Sequence, residues 1–184
     1  MNPSVKSVVL IGMMGAGKST VGDCLQQRTG FALFDTDEMV RSRFGMPISK
    51  IFSVHGEDKF REAETETLRA LATGESAVIV TGGGIVLREE NLHLLKRLGA
   101  VVWLAADEET LFKRASRDRN RPLLEGKNRR KMFAQLLQAR LPLYTKIADI
   151  RVDTSVLTDQ EVAVAILSKC QRYCGHRAPS QNDD

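Results

Sequence analysis

Short apolar runs alternate along the chain with segments in which apolar residues recur at helical spacing. The runs cover residues 5–11, 31–34, 77–81, 100–104 and 150–152. Runs of this length, apolar almost throughout, are typical of strands that are buried on both faces of a sheet. The alternation therefore predicts the α/β class, as a three-layer α/β/α sandwich with a five-stranded parallel sheet.

The segments between the runs predict the helices. They cover residues 19–27, 39–44, 47–54, 57–72, 89–98, 107–116, 129–146 and 159–170. Gly74 and Gly99 act as stop signals, and Asp107 is placed as an N-cap. The basic stretch at 117–128 contains Pro122 and Gly126, which indicates a loop. We predict one domain over residues 1–174 and a disordered polar tail at 175–184.

A glycine-rich loop joins the first predicted strand to the first predicted helix, with the sequence Gly12-Met13-Met14-Gly15-Ala16-Gly17-Lys18-Ser19. Strand, glycine loop and helix together form the context in which this motif binds the phosphates of a nucleoside triphosphate. Backbone N–H groups converge on phosphate oxygens, and the N-terminus of the helix adds its positive dipole end. We expect Lys18 to reach the β- and γ-phosphates and Ser19 to ligate Mg²⁺. The nucleotide contacts are predicted at Gly15, Ala16, Gly17, Lys18, Ser19 and Thr20.

Composition narrows the class of protein. The chain has 184 residues, of which 42% are hydrophobic, and a net charge of +4. Nine of the 27 Lys and Arg residues lie within residues 113–131, and either a polyanionic small molecule or a nucleic acid would account for this cluster. The longest apolar run, residues 100–106, is too short for a membrane span, and the three cysteines lack metal-ligand spacing. We therefore expect a cytoplasmic protein that is not associated with a membrane.

Several motifs of other phosphate-loop proteins are missing from the sequence. The third predicted strand ends in Thr81-Gly82-Gly83-Gly84, without the Asp-x-x-Gly of a signalling GTPase, and no Asn-Lys-x-Asp occurs. A mechanical ATPase normally needs a larger domain. The remaining class is a small-molecule kinase, which needs an acceptor pocket and a lid that excludes water.

Asp35 and Asp37 end the second predicted strand. Alternate residues of a strand point to the same side, so both carboxylates are expected to face the phosphate site. One would support Mg²⁺ and the other would hold or deprotonate an acceptor hydroxyl. The alternative is a purely structural role, with Asp37 capping the helix that follows.

Two arginines are candidates for binding an anion. Arg61 and Glu64 lie three residues apart on a predicted helix, and the default interpretation of such a pair is a solvent-exposed ion pair. Arg140 lies on the apolar face of its helix, so it requires an anionic partner. A substrate carboxylate and a structural Asp or Glu both meet that requirement. The apolar face is formed by Phe133, Leu136, Leu137 and Tyr144.

These motifs together resemble the shikimate kinase family over residues 8–154. Members phosphorylate the 3-hydroxyl of shikimate with ATP, on the route to chorismate and the aromatic amino acids. The matching motifs, in order, are the phosphate loop, Asp35-Thr36-Asp37, Phe60-Arg61 with Glu64, Gly82-Gly83-Gly84, Arg121-Pro122-Leu123-Leu124 and Arg140-x-Pro142-Leu143-Tyr144. The resemblance implies the P-loop kinase type of fold, with a lid at about residues 113–128.

The resemblance also implies roles for individual residues. Asp35 is associated with Mg²⁺, and Asp37 with the hydroxyls of shikimate. Arg61 and Arg140 bind the shikimate carboxylate, and Arg114 lies against the adenine. Glu64 shapes the carboxylate pocket, Gly82, Gly83 and Gly84 approach the substrate with backbone N–H groups, and Arg121 closes over both ligands.

Some alternatives stay open at this stage. The loop after the fifth strand reads Thr154-Ser155-Val156-Leu157, where some family members have a basic residue and a proline beside the adenine. A gluconate kinase would also bind a carboxylated polyol, although the spacing of Arg61 and Arg140 favours shikimate. A nucleic-acid-binding ATPase is the more distant alternative. We expect a monomer with ATP and shikimate as its small-molecule substrates, Mg²⁺ as cofactor and no nucleic-acid partner.

Overall fold

The computed structural model describes residues 7–71, 75–117 and 128–175. Five parallel strands form one sheet in the order β2-β3-β1-β4-β5. Their bounds are Val8–Ile11 for β1, Ala32–Asp35 for β2, Ala77–Val80 for β3, Ala100–Ala105 for β4 and Ile150–Asp153 for β5. The predicted five-stranded parallel sheet is confirmed.

Seven helices accompany the sheet in the described part of the chain. They are α1 (Lys18–Thr29), α2 (Thr36–Phe44), α3 (Ile48–Leu71), α4 (Glu89–Leu98), α5 (Glu108–Ala115), α6 (Arg129–Ile147) and α7 (Asp159–Gly175). The helices predicted at 47–54 and 57–72 meet in α3, where Gly56 interrupts the helical backbone with φ of 81° and ψ of 166°. Asp107 caps α5 as predicted, since its carboxylate accepts from the Thr110 N–H at 2.8 Å.

The strands differ in burial according to their place in the sheet. All residues of β1, β3 and β4 are buried, as their apolar sequences predicted. The prediction that the second strand is buried is wrong, because β2 lies at an edge and exposes Ala32 and Phe34. An edge strand has a neighbour on one side only, so its side chains keep part of their contact with water.

The order in which the strands are added changes side at β1, whose neighbours are β3 on one side and β4 on the other. The chain adds β2 and β3 on one side of β1 and then crosses to add β4 and β5 on the other side. In open α/β sheets, ligands bind outside the carboxyl ends of the strands at such a switch point. The glycine loop after β1 and the triple-glycine turn after β3 both leave the sheet there.

Some of the predicted features lie outside the described residues. These are the stop signal at Gly74, positions 118–127 of the expected lid, which include Arg121, and the tail from residue 176. The last helix continues beyond residue 170, to Gly175. Among the described helices, none combines the length and the apolar character that a membrane span requires.

Candidate active site

The glycine loop wraps around the space beyond β1 with a backbone that glycine makes possible. Gly15 has φ of 86°, which side chains disfavour, and a Cβ there would lie 2.3 Å from the Leu111 carbonyl of α5. Lys18 donates from Nζ to the carbonyls of Gly12 at 2.9 Å and Met13 at 3.1 Å. Its ammonium group is thus held over the loop at the start of α1, where the helix dipole favours an anion.

A cavity of about 650 Å³ opens over this loop. Most of the predicted site residues line it, from the phosphate loop, the aspartate pair, the glycine turn and α5. They are Gly15, Gly17, Lys18, Ser19, Thr20, Asp35, Asp37, Gly82, Gly83 and Arg114. Of the predicted site residues that the structure describes, four are not in the lining, namely Ala16, Arg61, Gly84 and Arg140.

The two aspartates lie on different secondary-structure elements, whereas the sequence predicted both on one strand. Asp35 ends β2, but Asp37 lies in the first turn of α2, so the alternation of a strand does not align them. The capping role belongs to Asp35, whose Oδ1 accepts from the N–H groups of Asp37 at 2.9 Å and Glu38 at 3.3 Å. Both carboxylates still line the cavity.

Arg61 and Glu64 form a buried ion pair on α3. Nη1 of Arg61 lies 2.7 Å from Oε2 of Glu64, which has no exposed surface. The interpretation of this pair as solvent-exposed is therefore wrong. The helix lies with this face toward the glycine turn, and the rings of Phe60 and Phe52 flank the guanidinium at 5.2 and 6.0 Å.

Burial raises the pKa of Glu64 to about 7. Arg61 and Arg140 act in the opposite direction, and Asp37 adds to the rise. Oε1 of Glu64 is buried and has no hydrogen-bond partner among the residues that the structure describes. The ionisable groups predicted for the acceptor side therefore influence one another directly, which places them in one cluster beside the cavity.

Arg140 is buried on α6, 2% exposed, as its place on the apolar face predicted. Among the described residues, no carboxylate lies within ion-pairing distance of it, and Nη1 is 3.9 Å from Sδ of Met13. Tyr144, one turn further along, interacts with Arg140 and donates its hydroxyl to the Gly83 carbonyl. Burial raises the pKa of Tyr144 to about 12, so this phenol stays a donor.

The triple-glycine turn passes between these side chains with no room for a methyl group at two of its positions. A Cβ on Gly84 would lie 2.4 Å from Nη1 of Arg61, and one on Gly82 would lie 2.5 Å from Oδ1 of Asp37. At Gly83 the nearest atoms are 3.4 Å away or more, which is ordinary contact. The turn thus joins the cavity to both buried arginines.

The other end of the cavity is formed by α5 and the loop after β5. Arg114 donates to the carbonyl of Thr154 at 2.9 Å and to its hydroxyl at 3.2 Å. The lining also includes residues that sequence reasoning did not select, namely Arg117, Leu157, Thr158 and Asp159. The signal that could have found the last three is their position directly after the last strand, at the carboxyl edge of the sheet.

Comparisons with known proteins agree with this geometry. The sequence model of the family described as shikimate kinase matches residues 14–171. A shikimate kinase from Thermodesulfovibrio yellowstonii is 44% identical over 91% of this chain and 96% of its own length. The solved shikimate kinase from Acinetobacter baumannii, in complex with shikimate, superposes with a TM-score of 0.88 at 35% identity, covering 91% of this chain and 94% of that one.

A gluconokinase from Sinorhizobium meliloti 1021 superposes less closely. Its TM-score is 0.58 at 19% identity, over 94% of this chain and 98% of that chain, which is a likeness of fold alone. The family match covers most of the chain, and relatives above 30% identity cover it almost end to end. This chain therefore belongs to the shikimate kinase family.

Proposed function

We propose that this protein transfers the γ-phosphoryl group of ATP to the 3-hydroxyl of shikimate, giving shikimate 3-phosphate and ADP. The observation that carries the proposal is the presence of two buried arginines, Arg61 and Arg140, beside a cavity that is lined by a phosphate loop. A site of this kind suits two ligands, a triphosphate on one side and a small carboxylated molecule on the other. Its place in metabolism would be aromatic amino-acid biosynthesis.

Arg140 is the better placed of the two arginines to gain a carboxylate. It is buried, and among the described residues its guanidinium contacts a sulfur atom and a phenol, while Glu64 acts on it only from beyond ion-pairing distance. A buried cation without an anion is costly, so a carboxylate entering beside it removes that cost. Arg61 would bind the same carboxylate from α3, and planar guanidinium groups favour such bidentate contacts.

The hydroxyls of the acceptor are assigned to Asp37 and the glycine turn. Asp37 lines the cavity at the place where Gly82 comes closest to it. A carboxylate accepts hydrogen bonds from hydroxyl groups, while the N–H groups of Gly82, Gly83 and Gly84 would donate to them. The N–H of Gly82 also donates to Oγ1 of Thr36, at the long distance of 3.4 Å. Glu64 sets the shape of this pocket through its ion pair with Arg61.

The donor side is assigned to the phosphate loop and its neighbours. Gly15, Ala16, Gly17, Ser19 and Thr20 would contact the phosphates, with Lys18 moving from the loop carbonyls to the β- and γ-phosphates. Arg114 would lie against the adenine, held in place by Thr154. Arg121, which lies outside the described residues, would close over both ligands as part of the lid.

The residues at the cavity fit Mg²⁺. Ser19 and Asp35 both line it, and within the described part of the chain capping of α2 uses Oδ1 of Asp35, which leaves Oδ2 as the oxygen that would ligate the ion. No cluster of three or more acidic, Cys or His side chains occurs in the described residues, which agrees with an ion that takes one or two protein ligands together with water and phosphate. Bound there, Mg²⁺ would neutralise charge on the phosphates.

The transfer is proposed to be in line. The 3-hydroxyl oxygen forms a bond to the γ-phosphorus as the bond between that phosphorus and the oxygen retained by ADP breaks, and the hydroxyl proton passes late to the Asp37 carboxylate or to water. Asp37 orients that hydroxyl, and Lys18 and Arg121 stabilise the equatorial oxygens. A loose transition state of this kind needs little proton removal, so positioning and charge supply most of the rate.

We further propose a cytoplasmic monomer without a nucleic-acid partner. Arg114 and Arg117 of the basic segment line the cavity, and Arg130 pairs with Glu109, so these cations are directed to a small anion or already paired.

The test of the proposed phosphoryl transfer is ADP formation from ATP and Mg²⁺ with and without shikimate. Saturable dependence on shikimate is expected, and turnover that is indifferent to shikimate would overturn the assignment.

A further inference from the structure

One edge of the Arg61 guanidinium is held by a carboxylate of the same helix. Nε and Nη2 donate to a single oxygen, Oε1 of Glu57, at 3.2 and 2.8 Å. Nη1 donates to Glu64 at 2.7 Å. With both carboxylates in place Arg61 is 6% exposed, although the proposed function needs it to receive a carboxylate from outside.

The two carboxylates differ in how easily they leave. Glu64 is completely buried, so releasing it would strand a charge without water. Glu57 is 49% exposed and directly follows the break in α3 at Gly56, so its carboxylate can be hydrated when it separates from Arg61. The backbone of Gly84 closes the approach to the guanidinium from the side of the turn. The edge held by Glu57 is therefore the one that an incoming carboxylate can take.

We propose that Glu57 is an internal substitute for the acceptor's carboxylate and lowers acceptor affinity by competing for Arg61. This inference rests on the proposed function. Acceptor binding is then an exchange, in which Glu57 moves into water as the carboxylate of the ligand takes its two N–H donors. Arg61 keeps an anionic partner throughout, so its charge is never buried alone. Glu57 becomes a residue that sets the affinity for the acceptor.

The size of the effect follows from the exposure of Glu57. Half-exposed ion pairs of this type contribute little, and removing the competing charge should tighten acceptor binding about two- to fivefold. The substitution Glu57→Gln removes the charge while keeping the shape of the side chain. Glu62→Gln is the matched control, because Glu62 is 48% exposed on the same helix and pairs with Lys59 instead.

The experiment measures steady-state kinetics and calorimetric shikimate binding for the wild type, Glu57→Gln and Glu62→Gln. We expect a two- to fivefold lower KM and Kd for shikimate in Glu57→Gln alone, with kcat and the KM for ATP unchanged. An unchanged or raised KM for shikimate in a variant that melts at the wild-type temperature would overturn the inference and make Glu57 a structural support of Arg61.

A second ligand separates competition for Arg61 from a general change of the pocket. The methyl ester of shikimate lacks the carboxylate charge, so its binding should not improve in Glu57→Gln. An equal improvement for the ester and the acid would contradict the exchange. If the wild type itself showed no turnover that depends on shikimate, the proposed function would fail, whereas a normal wild type with an unimproved Glu57→Gln would refute only the role of Glu57.

Discussion

Arg61 and Glu64 lie one turn apart on α3 with 2.7 Å between Nη1 and Oε2, and neither side chain is more than 7% exposed. A pair this deeply buried is costly to break, because the partner that remains keeps an unpaired charge away from water. Arg140 differs, since no carboxylate of the described residues lies within ion-pairing distance of it, although Glu64 acts on it from farther away. Arg61 is therefore ion-paired within the protein, and Arg140 is the arginine for which we propose a carboxylate of the ligand as partner.

The buried carboxyl of Glu64 makes stability depend on pH. Its pKa in the folded state is about 7, above the ordinary value of 4.5, because burial disfavours the charged form. The folded protein thus holds a proton that the unfolded chain releases. The stabilising contribution is complete below pH 4.5 and is lost as the pH rises through about 7, by about 3 kcal/mol in total.

Urea denaturation of the wild type and Glu64→Gln at pH 5 and pH 8 measures this loss. Glutamine cannot titrate, so only the wild type should lose this contribution. The unfolding free energy of the wild type, relative to that of Glu64→Gln, should be lower at pH 8 than at pH 5. A difference that is the same at both pH values would mean that Glu64 is ionised at both, because the effect of Arg61 on its pKa outweighs the effect of burial.

Arg140→Ala should affect the acceptor far more than the donor. A hydrogen-bonded charge pair with a carboxylate contributes about 1.5–3 kcal/mol, which corresponds to a rise in the KM for shikimate of roughly 10- to 100-fold. The KM for ATP should change little. Steady-state kinetics with each substrate varied in turn measure both values, and an equal rise in the two would assign Arg140 to the structure of the protein.

Two neighbouring glycines provide a matched test of the turn after β3. Gly84→Ala would bring a Cβ to 2.4 Å from Nη1 of Arg61, whereas Gly83→Ala meets its nearest atoms at 3.4 Å or beyond. We expect Gly84→Ala to displace Arg61 and raise the KM for shikimate at least about tenfold, with Gly83→Ala within a few-fold of the wild type. Steady-state kinetics and thermal melting of both variants test this expectation. Similar KM values for shikimate in the two variants would contradict it.

Arg114→Ala should weaken nucleotide binding selectively. The guanidinium is held by Thr154 at the end of the cavity, and its proposed contact with adenine contributes about 0.5–2 kcal/mol, or roughly two- to thirtyfold in Kd for ATP. Lys113→Ala is the control, since Lys113 is the exposed neighbour on the same helix. Calorimetric titration with ATP and with shikimate should show a loss for ATP in Arg114→Ala only.

The strands and the phosphate loop were readable from the sequence because their signals are local. The fully apolar run of β4 predicted a strand that is buried on both faces, and the glycine pattern after β1 predicted a loop backbone that glycine makes possible. The position of β2 at an edge is not local. Its sequence is apolar, but the number of its neighbours depends on the order of the strands.

Side-chain partners were predicted less well for the same reason. The spacing of Arg61 and Glu64 indicated a pair but carried no information about its burial, which depends on how α3 packs against the glycine turn. Asp37 was expected on a strand, whereas α2 begins one residue earlier with Asp35 as its cap. The burial of Arg140 was predicted correctly, because the apolar face of α6 is itself a sequence pattern.

We propose that the cavity is the donor half of a site whose other half binds shikimate. The most direct measurement offers shikimate and gluconate in parallel, with ATP and Mg²⁺, and follows ADP together with the phosphorylated acceptor. The account predicts one ADP for each shikimate phosphorylated and a kcat/KM for shikimate far above that for gluconate. Equal or greater turnover of gluconate, or ADP release that is independent of either acceptor, would contradict it.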